Sequence, residues 1–301
     1  MFDDRLPPIH CWDEVAHPRA LVHIVHGMSE HGGRYARFAT ALNRAGYAVW
    51  AHDHRGHGRN PTPPVGLGHF ADADGWRAIL DDTWAVSSAL QAAYPGLPLI
   101  LFAHSMGSFV GQSLIAEHGA AYRAAVLCGS DGPPGVLEAI GRLLAWLQLR
   151  ALGGRAPGLW MERLVIGRYN RQFAPTRTAS DWLSRDAVEV DRFKQDVLCG
   201  MPLSARSWVD FLAGKAELGK RTHLERIPKR LPILLISGSR DPVGSRGRGV
   251  KRLLAVYQAS GLEHVSVKLY EDARHELVNE TNRDAVTADV IGWLDRTIAP
   301  P

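Results

Sequence analysis

Cysteine is scarce in this chain: Cys11, Cys128 and Cys199 are the only three in 301 residues, and no two form a C-x-x-C pair. That excludes a disulfide framework and a cysteine-rich metal module, and it points to a reducing compartment. Long hydrophobic runs are missing as well. The most apolar stretch, Val136 to Leu152, is interrupted by Glu138, Arg142, Gln148 and Arg150, whereas a bilayer-spanning helix needs ~20 largely apolar residues. The opening "MFDDRLPPIH" lacks the basic start and apolar run of a signal peptide. Together these features predict a soluble, cytoplasmic protein. Charge of one sign is absent too: 35 Lys and Arg are interleaved with 31 Asp and Glu, so the net charge of +4 collects into no run. No nucleic-acid partner is expected. Neither an internal repeat nor a low-complexity segment is present.

What the chain has is enough apolar residue, 46% of the composition, to bury a large core as one elaborated domain. Short runs of Val, Ile, Leu and Ala recur at Ala20–His26, Tyr47–Ala51, Pro98–Ala103, Arg123–Gly129, Leu231–Ser237 and His264–Tyr270. Several are nearly continuous, as strands buried on both faces of a parallel sheet must be. Between them, Tyr35–Ala45, Trp76–Tyr94, Met106–His118, Arg248–Ala259 and Asn282–Ile298 carry apolar residues three and four apart, as in Val286, Val290, Trp293 and Leu294. Alternating strand and helix predicts an α/β fold with right-handed crossovers. The alternation stops between Asp131 and Pro228, where a helix-like stretch over Val136–Leu152 gives way to segments rich in Arg, Trp and Pro. The economical division is a core of residues 1–131 and 229–301, with residues 132–228 inserted as a helical cap over the carboxyl edge of the sheet, where ligands bind in open α/β folds.

The chemistry gathers at strand ends. "AHSMG" places Ser105 between a strand and a helix, the setting of a nucleophile elbow, whose sharp turn requires small residues two before and two after the serine. Gly107 meets that need, and Ala103 adds one methyl group. A serine nucleophile needs a base and an acid that orients the base. "LLISGSRDPVG" sets Asp241 just beyond one late strand, and "VKLYEDARHELVNE" sets His275 just beyond the last. Each has a plainer reading alone: a helix-capping serine, an Asx-turn aspartate, a surface histidine. Their positions and their order, Ser105, Asp241, His275, speak for a triad, with Asp131 as a second candidate acid. Acyl transfer also needs oxyanion donors. The N–H of Met106, opening its helix, and that of Met28, in "HGMSEHGGRY", occupy the two expected places. His52, His54, His57 and Asp53 in "AHDHRGHG" could be metal ligands, but nothing elsewhere completes the set, and a glycine-rich turn braced by Asp53 and Arg55 is the preferred reading: no metal is expected.

The segments "HGMSEHGGRY", "AHDHRGHG", "AHSMGS", "SGSRDPVG" and "ARHELVNE" together resemble the monoacylglycerol lipase and lysophospholipase branch of the α/β-hydrolases, also labelled serine aminopeptidase-like. The resemblance runs from residue 26 to residue 280. It implies a mostly parallel central sheet flanked by helices, with a mainly helical cap inserted after the sixth strand. It also implies Ser105, Asp241 and His275 as the catalytic set, Met28 and Met106 as oxyanion donors, and no cofactor. Glu30 and Arg34 would hold the polar end of a glyceride, or else form a structural ion pair. Ala103, Ser108 and abbreviated strands before Ala20 depart from the pattern. The implied partner is a small acyl ester, monoacylglycerol-like or simpler. An aminopeptidase or amidase using the same triad, or a ligand-binding protein without turnover, are the alternatives. Leu143, Leu144, Trp146, Leu147 and Leu149 of the cap would line an acyl tunnel, rest transiently on a lipid interface, or pack the cap onto the core or a second subunit. No feature fixes an oligomeric state.

Overall fold

The apolar runs form the strands of a seven-stranded sheet in the order β1-β3-β2-β4-β5-β6-β7, in a computed structural model that describes residues 6–298. The strands are β1 (Ile9–Trp12), β2 (Ala20–Val25), β3 (Tyr47–His52), β4 (Leu99–His104), β5 (Ala124–Cys128), β6 (Ile233–Gly238) and β7 (Val265–Tyr270). All neighbours pair in parallel except β1, which runs antiparallel to β3. The α-helices are α1 (Ala36–Arg44), α2 (Gly75–Ala93), α3 (Met106–His118), α4 (Val136–Leu152), α5 (Leu159–Tyr169), α6 (Ala187–Gln195), α7 (Ala205–Glu217), α8 (Arg221–Leu224), α9 (Arg248–Ala259) and α10 (Arg283–Ile298).

Alternate strand residues point to opposite faces, and both faces are covered. Leu21, Leu99, Leu101, Leu127 and Leu235 pack with side chains of α2, α3 and α9. Val22, Ile24, Ile100, Phe102 and Ile236 pack with those of α1 and α10. This two-sided burial explains why the central strands read as continuous apolar runs. Helix α3 is buried on nearly every side, from Met106 to Ala116, because the sheet lies under it and the segment between β5 and β6 covers it.

That segment carries α4 to α8. It leaves the sheet after β5, the fifth strand among the described residues, and not after the sixth as the resemblance implied. The count differs because a single four-residue strand, β1, precedes β2 among the described residues. Within the segment, Trp208 and Phe211 of α7 and Met161 of α5 join the apolar cluster of α2 and α3, so the segment is packed onto the core. Several of its large apolar side chains are exposed away from the cavity: Leu143 is 56% exposed and Trp160 47%, and Leu147 and Leu159 are exposed too. No helix among the described residues is long and apolar enough to cross a membrane.

Candidate active site

Ser105 lies between β4 and α3 with φ 52° and ψ −121°, a region that costs a residue with a side chain ~1–3 kcal/mol. The surroundings impose it. A Cβ on Gly107 would lie 2.2 Å from the carbonyl oxygen of Val25 and 2.4 Å from that of His26, so β2 comes too close for any larger residue. Ala103 is accommodated by a second glycine that sequence reasoning overlooked: a Cβ on Gly111 would stand 2.9 Å from the Ala103 methyl. The space lost at 103 is recovered at 111, in the second turn of α3. Ser108 takes up the other departure, since its hydroxyl donates to the Ser105 carbonyl at 2.6 Å and meets the Ser130 hydroxyl at 2.9 Å. The elbow is thus braced from within its own helix.

The loop after β6 and the loop after β7 bring the two partners to the serine. His275 Nε2 is 2.8 Å from Ser105 Oγ, and its Nδ1 is 3.0 Å from Asp241 Oδ1. A carboxylate only accepts, so Nδ1 carries the proton and Nε2 is free to accept from the serine hydroxyl. Asp241 is held by the Val243 N–H at 2.9 Å. Both partners are buried, Asp241 at 0% and His275 at 1% exposure. Burial opposes a charge on His275, and the Asp241 carboxylate overrides it, so the imidazole is a stronger base than an exposed histidine. His104, with its ring centroid 4.7 Å from that of His275, is pushed down to about 4 by burial and by His275, and stays neutral. Two further neighbours were not foreseen from sequence. Gly129, at φ +60°, lets the chain pass where a Cβ would be 3.0 Å from His275 Cε1, and Trp182 covers the ring at 5.0 Å. Asp131 takes no part in the line: its carboxylate meets Lys215 at 3.0 Å and Arg252 at 3.3 Å.

The loop after β2 is fixed by residues on both sides of Gly27. Its N–H donates to Glu30 Oε1 at 2.6 Å, and its carbonyl oxygen is 2.8 Å from His26 Nδ1. The backbone N–H of His54 donates to His26 Nε2 at 3.0 Å, so Nδ1 must hold the proton and donate to Gly27. In a planar trans peptide the C=O and the following N–H point opposite ways. Fixing the Gly27 carbonyl therefore fixes the direction of the Met28 N–H. Among the described residues neither the Met28 nor the Met106 N–H donates to a backbone group, and both residues line the cavity over Ser105. Glu30 and Arg34 are engaged inside the protein. Arg34 meets Glu30 at 2.7 Å and both oxygens of Glu276 at 2.6 and 2.7 Å, while the Tyr35 hydroxyl donates to Glu30 at 2.8 Å. Burial pushes the Glu30 carboxyl up, and Arg34 brings it down to about 2. The pair anchors the loop, which is the ion-pair reading of these two residues.

His52 and His54 of "AHDHRGHG" join His23 in a hydrogen-bonded row, while His57 Nδ1 donates to the Arg55 carbonyl at 3.1 Å. His23 Nε2 is 2.9 Å from His52 Nδ1, and His52 Nε2 is 3.1 Å from His54 Nδ1, with burial holding His52 and His54 well below the ordinary imidazole range. Asp53 turns away, to His10 at 2.9 Å, the Gly32 N–H at 2.9 Å and the Arg59 N–H at 2.9 Å. The closest grouping of metal-ligating atoms that includes any of them is His10, His31 and Asp53, and it is occupied by its own hydrogen bonds, including His31 to Asp196 at 2.8 Å.

A cavity of about 1060 Å³ opens over Ser105. Met28, Met106 and His275 form its floor, and Leu144, Met161 and Val165 of α4 and α5 form an apolar wall. The arrangement can raise the nucleophilicity of a serine, receive an oxyanion and house an apolar chain.

Comparison with known proteins agrees with this chemistry. The sequence profile of the serine aminopeptidase S33 family matches residues 16–282. The chain is 30% identical to a monoacylglycerol lipase of Mycolicibacterium smegmatis, across 94% of this chain and 90% of that one. It is likewise 30% identical to the monoglyceride lipase of Homo sapiens, across 96% and 86%. A highly thermostable carboxyl esterase from Bacillus coagulans, solved in complex with glycerol, superposes with a TM-score of 0.88 at 29% identity, covering 97% of this chain and 94% of that one.

Proposed function

The chain belongs to the serine aminopeptidase S33 family, and from that membership we infer a serine ester hydrolase that cleaves monoacylglycerol-like or other small acyl esters through an acyl-enzyme. The observation that carries the reading is the unbroken line from Ser105 Oγ through His275 to Asp241. Ser105 attacks the ester carbonyl as His275 Nε2 takes its proton. Asp241 holds the imidazole in the right tautomer and stabilises the imidazolium. The Met28 and Met106 N–H groups take the oxyanion, the alcohol leaves with the proton from His275, and water activated by the same histidine releases the acid. Glu30 and Arg34 serve the reaction through the loop they anchor. The reading is tested on p-nitrophenyl esters of graded chain length, a monoacylglycerol and an aminoacyl p-nitroanilide. Ester hydrolysis with little amide cleavage is expected; cleavage of the anilide alone would replace the esterase with a peptidase.

His26 acts on this chemistry through the Gly27 carbonyl. In His26→Asn the amide nitrogen falls near the position of Nδ1 and keeps the donor; in His26→Gln it falls near Nε2 and does not. The expected result is a kcat near wild type for Asn and ~10- to 100-fold lower for Gln, with KM little changed, because losing an oxyanion donor outright costs ~100- to 1000-fold. Equal kcat values for the two variants, at equal thermal stability, would remove His26 from the mechanism.

The exposed apolar face of α4 and α5 is the part of the molecule suited to a lipid interface. Leu143→Asp combined with Trp160→Asp should reduce co-sedimentation with phosphatidylcholine vesicles several-fold while hydrolysis of a dissolved short-chain ester persists. Co-sedimentation equal to wild type would sink this role.

A further inference from the structure

The mouth of the cavity concentrates positive charge that the protein does not neutralise. Arg168, at the end of α5, and Arg171, in the 3-10 turn that follows, line one lip, and Arg246, from the turn between β6 and α9, and Arg248, the first residue of α9, line the other. The two lips meet: Arg246 Nε donates to Gln172 Oε1 at 2.6 Å, and Gln172 Nε2 donates to the Arg240 carbonyl at 3.0 Å. None of the four guanidiniums forms an ion pair among the described residues, whereas basic residues close by do, Lys215 and Arg252 with Asp131 and Arg185 with Glu280.

The carboxylates of the cavity wall do not supply the balance. Glu30 and Glu276 are taken by Arg34, Asp131 by Lys215 and Arg252, and Glu138 lies 3.7 Å from Lys215. Glu162, on the α5 wall, has no partner, and burial pushes its carboxyl up to about 7, so at neutral pH it carries only part of a charge. The backbone that presents Arg246 is also unusual. Ser245, Arg246 and Gly247 are consecutive left-handed residues at φ 51°, 60° and 78°, and only glycine adopts that region without a steric penalty. The turn is held by the Arg246 N–H donating to the Asp241 carbonyl at 2.7 Å, so the aspartate of the triad line and the arginine at the mouth are fixed by one piece of chain. Exposed arginines are ordinarily just solvated. Four without an ion pair lining a single cavity, one of them on a strained turn, form instead a site whose field favours an anion, and the planar guanidinium fork matches phosphate and carboxylate oxygens.

We propose that Arg168, Arg171, Arg246 and Arg248 form an anion subsite at the mouth of the cavity, and that the ester reaching Ser105 carries a phosphate or carboxylate held there. The proposal rests on the esterase reading above and specifies its substrate class. The anion could be carried on the alcohol, as in an acylglycerol phosphate, or at the far end of the acyl chain, as in a monoester of a dicarboxylic acid.

The test measures kcat/KM for two matched pairs at low and high salt: a monoacylglycerol against its phosphate of the same chain length, and p-nitrophenyl octanoate against the p-nitrophenyl monoester of octanedioic acid. For at least one pair the anionic member should be favoured ~10-fold or more at low salt, with the advantage shrinking as salt screens the arginines. The pair that shows it identifies which end of the ester carries the anion. In the double variants Arg168→Gln/Arg171→Gln and Arg246→Gln/Arg248→Gln, checked for folding by thermal melting, the ratio of anionic to neutral kcat/KM should fall toward one. Ratios near one for both pairs in wild type, or a preference surviving both double variants, would overturn the subsite. Neutral-ester hydrolysis lost in Ser105→Ala, without any anion preference, would leave the esterase intact and remove the subsite alone; hydrolysis persisting in Ser105→Ala would remove the esterase reading itself.

Discussion

Ser105→Ala should lower kcat on a short-chain p-nitrophenyl ester by about 10⁴-fold or more and leave the fold intact. The size follows from what remains. Without the hydroxyl no acyl-enzyme forms, and the oxyanion donors and binding cavity alone supply the residual 10³- to 10⁴-fold over water seen when a serine triad is broken. Stability should change little, because alanine meets the same strained backbone at φ 52° as serine does, and only one hydrogen bond is lost, that of the hydroxyl to His275 Nε2 at 2.8 Å. Ser105→Gly offers a second check, since glycine adopts positive φ freely: it should be equally inactive and yet at least as stable as wild type. Turnover in Ser105→Ala within ten-fold of wild type, on protein purified free of host esterases, would show that the elbow does not carry the nucleophile.

The central strands were legible because burial on both faces selects apolar residues along nearly their whole length: Tyr47–His52 and Leu99–His104 are buried throughout and carry a histidine only at the last position. Helix α4 occupies the span of the helix-like stretch, Val136–Leu152. Strand β1 was not legible, being four partly exposed residues at the sheet edge, and α5 to α8 were hidden by Arg, Trp and Pro that serve the cavity and the outer surface. At the site, the order of Ser105, Asp241 and His275 could be read because each follows a strand, and sheet topology gathers strand ends at one edge. The relation of Ala103 to Gly111 could not, since it depends on the distance between a strand and a helix packed on it. The same holds for Glu30 and Arg34: a loop carboxylate and a loop guanidinium are compatible with gripping a substrate or each other, and only the position of Glu276, on the loop after β7, decides where Arg34 points.

Asp241→Asn should cost about 10⁴-fold in kcat, the loss found when the carboxylate of a serine-hydrolase triad becomes an amide. Asparagine can donate to His275 Nδ1, which would move the ring proton to Nε2 and take from Ser105 the acceptor it needs. The pH profile gives an independent sign. Reaction requires neutral His275, so activity falls as pH drops through the histidine's pKa. In wild type Asp241 holds that pKa above the ordinary 6.5 despite burial, which puts the acid limb of kcat/KM above about pH 6.5. In the variant the lift is gone and burial remains, so the limb of the residual activity should move to lower pH. Asp131→Asn separates the two candidate acids. It leaves Lys215 and Arg252 facing each other without their carboxylate, which should lower the melting temperature while activity and its acid limb persist, because Asp131 lies outside the hydrogen-bonded line to Ser105. A loss of activity in Asp131→Asn matching that in Asp241→Asn would place the working acid after β5 instead of β6.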